Sequence, residues 1–123
     1  MRLLKDLKSS WENRNYSIRL FKRQVRFAYQ RMTRGWDDGE TFSLDKSLAI
    51  LILPRLKRFK ELKRGCPGSL SSIEEWEEIL DDMIFAFEFS ASEEIYGSPS
   101  EEKMNRVNKG LALFATWFNY LWW

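Results

Sequence analysis

Histidine is absent from this chain and cysteine occurs once, as Cys66. Without histidine, Ser-His-Asp and Cys-His catalysis and most zinc sites are excluded. One cysteine forms no intrachain disulfide, which fits a reducing compartment. Cys66 stands between Gly65 and Pro67 with no base nearby to activate its thiol, so it is read as incidental. No apolar run approaches a membrane span, and the start MRLLKDLKSSWENR lacks the apolar stretch of a signal peptide, so a protein without a membrane segment is expected. Gly35 with Gly39, and Gly65 with Gly68, do not lie between a strand and a helix and make no phosphate-cradling loop. No segment alternates strictly in the manner of a strand.

Charge is also missing locally. Residues 69 to 102 contain no Lys or Arg and eleven carboxylates. Residues 1 to 34 carry ten Lys or Arg against Asp6 and Glu12, a net +8, so the formal total of +2 hides two poles. Such a chain meets something charged or folds one pole onto the other.

What remains is globular: 123 residues, 44% apolar and 15% aromatic, enough for one core and read as a single helical domain over residues 1–123. Apolar residues at steps of three and four predict four helices. The first carries the seam Leu4, Leu7, Trp11, Ile18, Phe21, Val25, Ala28 and Met32, interrupted by Arg14 between Asn13 and Asn15, where the helix either breaks or runs on. A turn at Gly35-Trp36-Asp37-Asp38-Gly39 follows. The second helix is capped by Thr41 or Ser43, has Asp45 in its first turn, and carries the seam Leu44, Leu48, Leu51, Arg55, Phe59 and Leu62. Pro54 removes a backbone donor to Ile50, so a kink is expected there. Ser71 and Ser72 each precede a Glu by three and open the third helix, with the seam Ile73, Trp76, Leu80, Met83 and Phe87. Ser98-Pro99-Ser100-Glu101 reads as cap, Pro at the first helical position and Glu at the third, opening a fourth helix with the seam Met104, Val107, Leu111, Phe114, Phe118 and Leu121. The expected fold is all-α, an antiparallel bundle of about four main helices.

The basic helices carry the strongest candidate site. Lys22, Arg23, Arg26, Tyr29 and Arg34 on the first helix, with Arg55 and Arg58 on the second, combine guanidinium forks with aromatic faces, the groups that grip phosphate oxygens and stack on bases. The bland alternative is that these cations only neutralise the acidic third helix through surface pairs. Against it, residues 1 to 68 carry a net +10, more than that helix can face. Arg55 on an apolar seam needs a carboxylate partner such as Asp45, Asp37 or Asp38, a pocket, or room to snorkel. Glu74, Glu77, Glu78 and Asp81 form an alternative protein-binding face. Glu74, Glu75 and Glu78 also match half of the EExxE magnesium motif of MazG-type nucleotide pyrophosphohydrolases. The second half is missing because no Asp follows Asp82, which leaves a magnesium-dependent hydrolase as a remote alternative. The aromatic end, with Trp117, Tyr120, Trp122 and Trp123, either closes the core or serves homo-oligomer contacts.

Several stretches carry a resemblance: Arg34-Gly35-Trp36-Asp37-Asp38, Phe42-Ser43-Leu44-Asp45, Gly65-Cys66-Pro67 and Glu75-Trp76-Glu77-Glu78-Ile79-Leu80. Over about residues 25 to 90 the chain resembles a family of small uncharacterised bacteriophage proteins, many of which have Tyr at the place of Cys66. The resemblance implies a phage origin and the bacterial host cytoplasm, and carries over no activity, catalytic residue or cofactor. Within that setting the expectation is a non-enzymatic inhibitor of anti-phage immunity that sequesters a phosphorylated nucleotide signal. The alternatives are an anti-CRISPR-like blocker that binds a nuclease effector and a nucleic-acid-binding accessory protein.

Overall fold

The computed structural model describes residues 1 to 122, and these form four α-helices and three short 3₁₀ turns, with no strand among them. The helices are α1 (Arg2–Arg34), α2 (Leu44–Leu62), α3 (Ile73–Ala91) and α4 (Glu101–Trp117). The all-α class read from the seams is the observed one. The chain divides into two compact units, Met1–Phe42 and Ser43–Trp123.

Unit 1 is α1 and the turn that folds back on its end. The helix is unbroken across Asn13–Asn15. Residues 2 to 34 hold no Gly or Pro, and an Asn costs a helix only tenths of a kcal/mol. Gly35 ends it in the left-handed region at φ 87°, its N–H returning to the Arg31 carbonyl at 3.0 Å. The 3₁₀ turn Asp38–Thr41 then lies against the helix. A Cβ on Gly39 would stand 2.9 Å from both the Phe27 ring and Asp37 Oδ1, so a larger residue here would have to displace one of these side chains. No residue of α1 is buried, so its expected core seam is exposed, apart from a half-buried Ala28.

Unit 2 is built on α3, which packs against both α2 and α4. The ion pairs Lys46–Glu93 and Lys63–Glu77 run α2 antiparallel to α3, and Arg106–Asp82 with the Trp76–Trp117 contact does the same for α4. The α3 seam is as expected, with Trp76, Leu80, Met83 and Phe87 buried; burying each stabilises by about 1.5–3 kcal/mol. Ile73, at the first position, is exposed. Around this core Phe59 and Trp117 meet the Trp76 ring edge-on at 6.5 and 5.7 Å.

Two seams differ from expectation. On α2 the buried residues are Ala49 and Leu56, with Ile52, Leu53 and Phe59 packed around them, while Leu44, Leu48, Leu51 and Leu62 are exposed. Residues 48 to 53 are all apolar, so periodicity leaves the face undecided. Leu56 and Phe59 continue the 49/52 face at steps of four and three, and with that face inward Lys57, Lys60 and Lys63 reach the α3 carboxylates. On α4 the fully buried residues are Val107 and Gly110, where a Cβ would fall 2.2 Å from the Asp82 carbonyl oxygen; Phe114 of the expected seam meets Phe87, while Leu111 and Phe118 are exposed. The cap of α4 is Ser100, which accepts from Lys103 N–H at 3.2 Å, and Pro99 precedes the helix rather than starting it. Helix α2 runs through Pro54 as one element.

Candidate functional site

In unit 1 the cations divide into two groups. Near the helix end, Arg31 pairs with Asp37, a buried carboxylate at 6% exposure. Arg34 donates to Asp38 Oδ1 at 2.6 Å and to the Trp36 carbonyl at 3.1 Å, and its guanidinium lies 3.7 Å from the Trp36 ring centroid. Gln30 completes this collar at 2.7 Å from Asp38 Oδ2. The Gln30 and Arg34 hydrogen bonds hold the Asp38 carboxyl below its ordinary pKa. Of the expected ligand residues, Arg34 is therefore engaged inside the unit.

The other group lies outside the collar, and only the charge of Arg26 reaches one of its carboxylates, Asp38, without an ion pair. Lys22, Arg26 and Tyr29, at steps of four and three, share one face and are exposed. Arg23 and Arg26 lie 6.0 and 5.5 Å from the Phe27 ring centroid, so two guanidiniums share one aromatic neighbour. Lys5, Lys8 and Arg19 extend the same flank toward the N-terminus and are exposed too. At 1.5 Å per residue, Lys5 to Arg26 spans about 32 Å.

In unit 2 the positive charge of α2 is largely paired. Lys57 meets Glu88 at 3.0 Å, Lys60 meets Asp81 at 2.6 Å, and Arg58 meets Glu61 at 2.7 Å. Lys63, with only 5% of its side chain exposed, donates to Glu77 at 2.8 Å and to the Lys60 carbonyl at 2.9 Å. Its hydrogen bond and charge hold Glu77 below the usual carboxylate range. Arg55 snorkels: it is exposed and donates to the Leu51 carbonyl at 2.7 Å. Arg55, Arg58, Phe59 and Trp122 line an open groove of about 580 Å³.

The acidic face of α3 is half spent. Glu77 and Asp81 hold lysines, while Glu74 and Glu78 are exposed and have no ion pair among the described residues. Glu75, the middle of the expected magnesium motif, accepts from Ser71 N–H and hydroxyl at 3.0 and 2.7 Å, which lowers its pKa. Ser72 accepts from Glu75 N–H at 3.2 Å, so that carboxylate serves the cap. Among the described residues no three His, Cys, Asp or Glu side chains gather as metal ligands. Of the aromatic end, Trp117 packs on Trp76 and Tyr120, Tyr120 and Trp122 are exposed, and Trp123 lies outside the described residues. No described helix is long and apolar enough to cross a membrane.

Three residues have structural roles that the sequence did not assign: Asp37, Lys63 and Gly110. Asp37 had a signal, since Glu40 three residues on is the second half of a capping box, and Glu40 does accept from Asp37 N–H at 2.7 Å. Comparison of the chain with family models, with curated proteins and with solved structures finds no match.

Proposed function

We propose that the protein acts by binding, without turnover, and that its ligand is nucleic acid held through its phosphates by α1. One observation carries this: Lys5, Lys8, Arg19, Lys22, Arg23 and Arg26 form an exposed flank in which only Arg26 feels a carboxylate of the collar, Asp38, and that at longer range than an ion pair. The cations are strung along a helix rather than gathered around a cavity, which suits a polymer of phosphates better than a single nucleotide. Phe27, within about 6 Å of both the Arg23 and Arg26 guanidiniums, adds an aromatic surface to this flank. In the setting implied by the bacteriophage resemblance, this is the accessory nucleic-acid role.

A second reading, capture of a phosphorylated nucleotide immune signal, is favoured by the groove with Arg55, Arg58, Phe59 and Trp122, whose volume of about 580 Å³ accommodates a nucleotide. The anti-CRISPR-like reading loses support because Glu77 and Asp81 are tied to lysines of their own unit.

Fluorescence anisotropy with short duplex and single-stranded oligonucleotides between about 50 and 200 mM salt separates these readings. The proposal expects binding that weakens steeply with salt. Arg19→Gln, Arg23→Gln and Arg26→Gln should each lower the slope of log K against log salt by about 1. Arg55→Gln with Arg58→Gln should leave it unchanged. Absence of oligonucleotide binding, together with heat from cyclic dinucleotides in calorimetry that Arg55→Gln abolishes, would replace the first reading by the second.

A further inference from the structure

The apolar seam of α1 has no partner within its unit, and its spacing specifies what kind of partner fits. From Leu4 to Met32 the seam positions follow at alternating steps of three and four through four heptads of one unbroken helix, with Arg14 alone polar among them. Phe21, at the middle, is 70% exposed. A strict stripe of this kind is narrower than the face a helix turns to a globular core and is the seam of a two-stranded coiled coil.

The flanks are unequal. On one side of the stripe stand Ser10, Ser17 and Gln24, uncharged, and then Arg31, which is held by Asp37; on the other stand Lys8 and Lys22, with Arg19 and Arg26 just beyond. A helix lying on a lipid surface carries cations on both borders of its apolar sector and no guanidinium within it, so the pattern fits lipid poorly. We propose that α1 pairs with α1 of a second copy of this chain as an antiparallel coiled coil. In a parallel pair the two Arg14 side chains share one layer, like charge on like charge. In an antiparallel pair each Arg14 faces an apolar layer, its stem covers that layer, and its head reaches water.

Antiparallel pairing also sorts the flanks. The uncharged borders of the two helices lie side by side, and both cationic borders fall on the opposite face. That face is twice as wide as a single helix offers. The pairing stands on the seam alone; only the use of this face rests on the nucleic-acid reading. Lys8 and Lys22 of opposite copies repel there, so a polyanion binding the face strengthens pairing, and pairing strengthens binding by the same factor.

Analytical ultracentrifugation from about 1 to 100 μM, at low and high salt, is the first test, salt being expected to tighten the dimer by screening the lysines. Phe21→Glu with Val25→Glu should give monomer throughout, with the urea unfolding of the core around Trp76 unchanged, since α1 has no buried residue. In a Cys66→Ser background, Ser10→Cys and Gln24→Cys chains mixed and mildly oxidised should form disulfides across the uncharged flank; parallel helices hold these positions on opposite sides, and no disulfide would refute the orientation. A monomer at every concentration and salt, or a dimer that survives the double glutamate variant, overturns the pairing. So does capture of the monomer by phosphatidylglycerol vesicles that this variant abolishes, which would make the seam a lipid contact. If the variant is monomeric and still binds duplex more weakly, both proposals stand; if the wild-type chain dimerises but binds no oligonucleotide, only the pairing does.

Discussion

Helices α1 and α2 are both basic, and their charges meet different fates. On α2, Lys46, Lys57 and Lys60 each end on a carboxylate of unit 2, as does Lys63 at its cap. On α1, only Arg31 and Arg34 do so in their own unit, both in the last turn. The apolar residues divide the same way: unit 2 buries Trp76, Leu80 and Met83, while α1 buries none. Density of positive charge is therefore a poor guide to a binding site. What remains after internal pairing is a better one, because an exposed pair contributes about 0–1 kcal/mol and satisfies charge that would otherwise attract a ligand.

The largest expected effect tests where stability resides. Trp76→Ala should cost about 3–5 kcal/mol in urea unfolding, since the ring is 1% exposed and sits at the centre of the aromatic contacts. Trp11→Ala, at 59% exposure on α1, should shift the same transition by no more than about 0.5 kcal/mol. Equal effects would break the contrast between the units. Gly110→Ala comes next, at about 1–3 kcal/mol, because the added methyl meets the Asp82 carbonyl and Ala86 and must push α4 away from α3.

The elements were legible in the sequence wherever a seam had a single reading. On α3 the acidic residues exclude all but one face, and Trp76, Leu80, Met83 and Phe87 are buried as their spacing requires. On α2 the run from Leu48 to Leu53 is apolar in every direction, and the inward face emerges only when Ala49 and Ile52 are joined to Leu56 and Phe59, a stripe that avoids the Arg55 of the expected seam. Gly110 reads in sequence as a weak helix residue, and its meaning depends on how closely another helix approaches. The cationic site was legible as composition but not as geometry. Arg23 and Arg26 flank one ring as their spacing from Phe27 allows, whereas Arg34 is held by Asp38 and Trp36 through a turn whose backbone the motif alone did not define.

Smaller effects sharpen the comparison of lysines. Lys63→Ala removes a hydrogen bond to the Lys60 carbonyl at the end of α2 and should cost about 1 kcal/mol, with Lys63→Met recovering part through packing. Lys57→Gln with Lys60→Gln should change oligonucleotide affinity less than twofold, while Arg19→Gln with Arg26→Gln should lower it at least tenfold at low salt. The reverse result would place the ligand on α2 and undo the distinction between paired and unpaired charge.

The smallest effect is a pH dependence that separates the units by residue. Glu77 in unit 2 and Asp38 in unit 1 both have folded pKa values below their ordinary ones, the first through Lys63 and the second through Gln30 and then Arg34. A lowered carboxylate contributes stability that is fully present above its unfolded value and lost as pH falls through the folded value, so the loss lies below about pH 4. Urea midpoints of unit 2 should decline in that window, and Glu77→Gln should flatten the decline. Amide exchange at the end of α1 should accelerate over the same window, and Asp38→Asn should remove that dependence while leaving the unit 2 midpoints alone. Because Asp38 anchors Arg34, the same acidification should free Arg34, and oligonucleotide affinity of Asp38→Asn at neutral pH should then rise rather than fall if the unpaired cations of α1 carry the binding.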